Sequence, residues 1–227
     1  MNLRQQYESG NQVNDEPLVV VFEEFLTDDE IAELLAAARP KLQQALVSDV
    51  NAGVKSSGRT GSNCWIPHAY NDVIANLSIR VSELVGVPLD CAESLQVVHY
   101  GEQQEYAPHY DAWEAGTERG DRCMARGGQR LVTCLMYLNE PERGGGTSFP
   151  RLDMEVRARR GRMVLFHNCE PGSNVRHSDS LHGGMPVEQG EKWACNFWFR
   201  ETTYQTTGSV PGQSQTSNQV RKYKRVI

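Results

Sequence analysis

No apolar run in this 227-residue chain reaches the length needed to cross a bilayer. The longest, such as Pro17 to Phe22, fall far short of the roughly 20 residues required. The opening residues, Met1 to Glu8, contain no apolar core, so no secretory signal is expected. The six cysteines (Cys64, Cys91, Cys123, Cys134, Cys169, Cys195) are scattered and form no Cys-x-x-Cys pair, and they read most simply as free thiols in a reducing compartment. A surplus of positive charge is also missing. With 23 Lys and Arg against 29 Asp and Glu, the formal charge of -6 argues against nucleic acid as the main partner, although not against a basic substrate. No internal repeat and no convincing Ser/His/Asp set is present. The expectation is a cytoplasmic protein without membrane attachment.

The remaining composition is that of a globular protein, with 39 % hydrophobic and 23 % charged residues and enough length for a substantial core. One domain over residues 17–203 is the simplest division. It is preceded by a polar, flexible arm over 1–16 and followed by a Gln/Ser/Thr/Gly-rich tail over 204–227. Pro17 to Phe25 reads as a strand. Thr27-Asp-Asp-Glu30 is a capping box, and the helix after it places Ile31, Leu34, Leu35 and Ala38 on one face. Pro40 kinks this helix or starts another. Asn71 to Val85 reads as a second helix, with Val73, Ile74, Leu77, Val81 and Leu84 as its apolar stripe and Gly86 as its stop. Short β-type runs then follow over 94–100, 131–138, 154–158, 162–167 and 192–200. Helices first and strands later suggest a mostly β fold with flanking helices, and a jelly roll fits.

The chemistry lies in Tyr106-Ala-Pro-His-Tyr-Asp111 and Ser180-Leu-His-Gly-Gly184. On a strand, His109 and Asp111 would share a face. Two histidines and a carboxylate can occupy one face of Fe(II) and leave the other open. His68, His99, His167 and His177 are also available as the second imidazole. His182 stands out because Gly183-Gly184 leaves room beside it and a lysine-bearing strand follows. In that strand Lys192, Ala194, Asn196, Trp198 and Arg200 form one face, suited to a pocket wall. Trp193, Cys195, Phe197 and Phe199 form an apolar one. A lysine turned into a barrel needs a partner, and a dicarboxylate would serve.

Over about residues 55–201 the chain resembles the collagen-type prolyl 4-hydroxylase family of Fe(II)/2-oxoglutarate-dependent dioxygenases. The resemblance is carried by Arg59-Thr60, Leu95-Gln-Val-Val-His-Tyr100, Tyr106-Ala-Pro-His-Tyr-Asp111, residues 127–138, Gly144-Gly-Gly-Thr147, Leu181-His-Gly183 and Gly190-Glu-Lys-Trp193. It implies a double-stranded β-helix supported by N-terminal helices. It implies iron on His109, Asp111 and His182, with no catalytic residue beyond the metal centre. It implies 2-oxoglutarate held by Lys192, Tyr100, Thr147 and Leu135, and a peptide near Arg130, Trp198, Tyr106 and Arg59. The activity implied is 4-hydroxylation of a prolyl residue in a peptide or protein, consuming O2 and converting 2-oxoglutarate to succinate and CO2. Whether ascorbate is needed stays open. A free amino acid or a non-prolyl side chain is the alternative substrate, and a non-catalytic metal-binding jelly roll is the alternative from another class. The charged loop 113–129 has no reading of its own.

Overall fold

The computed structural model describes residues 3–44, 47–48, 53–54 and 60–205. Its larger sheet has eight antiparallel strands, in the spatial order Asn11–Asn14, Val19–Phe22, Met163–His167, Arg130–Tyr137, Lys192–Arg200, Leu95–Tyr100, Ser62–Ile66 and Gln43–Gln44. A smaller sheet has four, in the order Met154–Val156, Thr147–Phe149, His182–Gly184 and Tyr106–His109. Chain-distant strands lie side by side in both, which is the interleaving of the jelly roll anticipated from the sequence.

Two helices cover the outer face of the large sheet. Helix α1, Asp28–Ala38, begins at the capping box: the Glu30 amide donates to Thr27 Oγ1 at 3.2 Å and the Thr27 amide to Glu30 Oε2 at 2.9 Å. It buries Ile31, Leu34, Ala37 and Ala38, and Pro40 then enters a short 3-10 turn, Arg39–Lys41. Helix α2, Asp72–Val85, is capped by Asn71 and stops at Gly86, whose φ of 75° suits a residue without Cβ. It buries Ile74, Leu77, Val81 and Val85.

The long strands sort their side chains by alternation. Trp193, Cys195, Phe197 and Phe199 join the cluster under the helices, whereas Ala194 joins Tyr100, Leu135, Tyr137, Phe149 and Phe166 between the two sheets. Each of the fully buried Phe side chains among these contributes about 1.5–3 kcal/mol on burial. One irregularity matters for the site. Phe199 pairs with Val132 but Arg200 pairs with Arg130, so Leu131 is an extra residue in a bulge. The bulge reverses the alternation and turns Arg130 to the same side as Thr133, a direction that a strict two-residue period does not give.

The expectation of a loose arm over residues 1–16 does not hold for the described part. Asn11–Asn14 pairs with Val19–Phe22, and Tyr7 is buried with its hydroxyl 3.0 Å from His167 Nε2. Without this strand the buried Val19–Phe22 would be an open sheet edge. The charged loop contains a third helix, α3, Glu118–Met124, capped by Thr117, which accepts from the Gly120 amide at 3.0 Å. All six cysteines are free, and no helix of the described residues is long and apolar enough to cross a membrane.

Candidate metal centre

His109 and His182 are brought together by strand pairing. They face each other across the Tyr106–His109 and His182–Gly184 strands, with ring centroids 4.5 Å apart. Asp111 is not on the strand itself. It lies in a bend two residues past the strand's end, and its carboxylate still closes on both rings, at 3.8 Å from His109 Nε2 and 3.4 Å from His182 Nε2. One ligand atom from each residue falls within 4.8 Å of the other two.

The tautomers suit a metal. His109 Nδ1 lies 3.0 Å from the Ala107 carbonyl and His182 Nδ1 lies 2.9 Å from the Ser180 carbonyl. A carbonyl only accepts, so each Nδ1 carries a hydrogen and each Nε2 is the ring atom left facing the shared space, where loss of its proton to an arriving metal exposes the lone pair. Asp111 is fixed from behind. Its Oδ2 accepts from Thr133 Oγ1 at 2.7 Å and from Trp198 Nε1 at 2.8 Å, and Arg130 Nη1 stands 3.6 Å from Oδ1. Burial raises its pKa, but His182, Arg130 and His109 outweigh burial and hold the carboxyl well below the usual range. The ligand is therefore ionised before any metal arrives.

A second cluster, Glu16, Glu170 and His177, also satisfies the distance test among the described residues. Its chemistry does not suit a metal. His177 Nδ1 accepts from the Asp179 amide at 3.0 Å, so a neutral ring keeps its hydrogen on Nε2, the atom facing the two carboxylates. Of the other rivals, His99 turns to Glu191 and Trp193, and His167 is buried against Tyr7.

A profile of the 2OG-Fe(II) oxygenase superfamily matches residues 95–200. The chain is 32 % identical over 207 residues to prolyl 4-hydroxylase 5 of Arabidopsis thaliana, covering 81 % of this chain and 68 % of that one. This chain belongs to the prolyl 4-hydroxylase family of 2OG-Fe(II) oxygenases. It is 30 % identical to prolyl 4-hydroxylase subunit alpha-1 of Gallus gallus, over 82 % of this chain and 36 % of that one. Its fold superposes on the viral collagen prolyl hydroxylase of Paramecium Bursaria Chlorella virus-1, solved as a 2OG complex, with a TM-score of 0.63 and 27 % identity over 80 % of this chain and 95 % of that one. The chain spans 66 % to 72 % of the length of the plant relatives it matches.

The family's co-substrate finds a fitting pocket in this oxygenase. Lys192 is 3 % exposed, and among the described residues its ammonium donates only to the Gly146 carbonyl, at 3.3 Å. Among the described residues no carboxylate pairs with it. Burial pushes its pKa down to about 7. Tyr100 and Tyr137 present their rings at 5.9 and 5.4 Å. Thr147 is buried in a strand with its hydroxyl 2.7 Å from the Tyr137 hydroxyl. Leu135 lies on the same face as Tyr137. A buried cation without a counter-ion is costly, so this pocket calls for an anionic partner.

The residues expected beside the peptide divide. Tyr106 stacks on His109 at 3.6 Å and lines a cleft of about 470 Å³ that opens next to the metal centre. Arg59 lies outside the described residues. Arg130 and Trp198, expected to touch the peptide, spend their polar groups elsewhere. Arg130 donates to Glu93 through Nε at 2.6 Å and Nη2 at 2.8 Å, with its guanidinium 3.8 Å over Trp198, whose indole N–H holds Asp111. Arg200 Nε donates to the same Glu93 oxygen at 2.7 Å. Two buried carboxylates, the buried Arg200 guanidinium and the largely covered Arg130 one thus balance in charge and tie a ligand to the sheet. Glu93, Thr133 and Tyr137 were missed by sequence reasoning. Tyr137 had a usable signal, two positions beyond Leu135 on one strand face. Glu93 had none.

Proposed function

We propose that this chain is an Fe(II)- and 2-oxoglutarate-dependent dioxygenase that hydroxylates prolyl residues at the 4-position in a peptide or protein. In this reading His109, Asp111 and His182 hold the iron, and Lys192 pairs with the distal carboxylate of 2-oxoglutarate beside Tyr100, Thr147 and Leu135. The bound metal and co-substrate supply the oxidising chemistry, with O2 consumed and succinate and CO2 released. The protein's own part is positioning. Ala107 and Ser180 carbonyls orient the two imidazoles, Thr133 and Trp198 fix the carboxylate, and the apolar wall between the sheets keeps water from the co-substrate. No side chain needs to act as a general base. The single observation that carries the reading is the buried, carboxylate-free Lys192 in the same interior as the triad, because a structural metal site has no use for it.

The relatives that are named prolyl 4-hydroxylases support a prolyl substrate, and the open cleft beside His109 supports a peptide over a free amino acid. Free thiols throughout support a reducing, cytoplasmic setting. The test is mass spectrometry of prolyl peptides incubated with Fe(II), 2-oxoglutarate and the protein, with succinate measured in parallel. A gain of one oxygen on proline is expected. Oxidation of free proline alone, or of another side chain, would replace the substrate assignment.

A further inference from the structure

The cleft beside the iron site is unusual in its charge. The protein is acidic, with a formal charge of -6, yet the charged side chains on the cleft wall besides His109 are Glu114, Arg119 and Arg176, a net positive set. Arg176 is held ready. Its guanidinium lies 4.3 Å over the Tyr110 ring, and Tyr110 is itself anchored by its hydroxyl, which donates to the Ser178 carbonyl at 2.9 Å. Arg176 Nη2 donates to Glu114 Oε2 at 3.3 Å. Glu114 is 66 % exposed, so this is a surface pair of small worth. Among the described residues it engages one of the five N–H groups a guanidinium offers.

We propose that Arg176 is a specificity-determining residue that selects peptides carrying an acidic side chain within a few positions of the target proline. The proposal rests on the prolyl-peptide reading above. His109 and Arg176 share the cleft wall, and an extended peptide advances about 3.1–3.4 Å per residue. A carboxylate near the proline thus comes within reach of the guanidinium, which accommodates it beside Glu114 or in its place.

The test is a set of prolyl peptides identical except for Glu, Gln or Lys at the positions flanking the proline, compared by kcat/KM from oxygen incorporation. The Glu peptide should exceed the Gln peptide by about fivefold at low salt, and the advantage should shrink at high ionic strength. Arg176→Gln should make the two peptides equal, and Arg176→Glu should favour Lys. Because the ratio compares peptides on one enzyme, partial loss of folded protein lowers all three together and leaves the ratio unmoved. Equal rates for the three peptides on the wild-type protein, or a Glu preference that survives Arg176→Gln, overturns the proposal and leaves prolyl hydroxylation standing. If no prolyl peptide gains oxygen, the functional reading itself fails and this inference falls with it.

Discussion

Lys192 gives the proposed co-substrate site a pH dependence that can be worked out in advance. Its free ammonium titrates at about 7, whereas both carboxylates of 2-oxoglutarate stay ionised above pH 6. Only the charged lysine binds the anion well, so the apparent dissociation constant is the intrinsic one divided by the protonated fraction. That fraction falls from about nine-tenths at pH 6 to about one-tenth at pH 8, and affinity should fall about tenfold over this range. The Tyr137 phenol near the ammonium does not interfere, because burial pushes its pKa up and away from neutrality. Calorimetric titration of 2-oxoglutarate into the Mn(II)-loaded protein without oxygen measures the effect. At pH 8 binding should also take up about one proton, seen by comparing buffers of different ionisation enthalpy. An affinity that is flat from pH 6 to pH 8, with no proton uptake, would refute the reasoning.

The same lysine weakens the unliganded fold. Its folded pKa is lowered from 10.5 to about 7, so the unfolded chain binds the proton more tightly. The penalty is complete below pH 7 and disappears as pH rises toward 10.5, and it amounts to about 5 kcal/mol at its largest. Lys192→Met should therefore raise unfolding stability at neutral pH by about 2–4 kcal/mol, less than the full penalty because the Gly146 carbonyl loses its donor, while 2-oxoglutarate binding is lost. Denaturant unfolding checks the first effect and calorimetry the second. Trp198→Phe removes one of two hydrogen bonds to Asp111 Oδ2 and should weaken metal binding about 10- to 100-fold, as read by equilibrium dialysis. Tyr137→Phe leaves the Thr147 hydroxyl without its 2.7 Å partner. It should raise the KM for 2-oxoglutarate about three- to tenfold with little change in kcat, in steady-state succinate assays. Leu77→Ala empties a fully buried position of helix α2 and should cost about 2–5 kcal/mol in denaturant unfolding, with metal affinity unchanged.

Much of this architecture was legible because it rests on short periods and local chemistry. The capping box at Thr27, the αL stop at Gly86 and the two-faced strand from Lys192 to Arg200 all follow from a few adjacent residues. The triad was legible for the same reason, although Asp111 reaches the site from a bend and not from strand alternation. What escaped depends on pairing between distant segments. Arg130 points to the Trp198 side because a bulge at Leu131 reverses its strand's alternation, and nothing local marks that bulge. Glu93 matters because two arginines 37 and 107 residues away converge on it. The N-terminal residues read as a polar arm because only the neighbouring Val19–Phe22 strand gives them an edge to cover.

In the proposed reading each chain holds one iron on His109, Asp111 and His182, with 2-oxoglutarate beside it. Anaerobic titration of Fe(II) in the presence of 2-oxoglutarate, followed by the visible charge-transfer absorption of the chelate, tests it directly. Wild-type protein and His177→Ala should each saturate at one iron, and His182→Ala should show no band. Saturation of His182→Ala at the wild-type level, or loss of the band in His177→Ala alone, would place the iron elsewhere than on this triad.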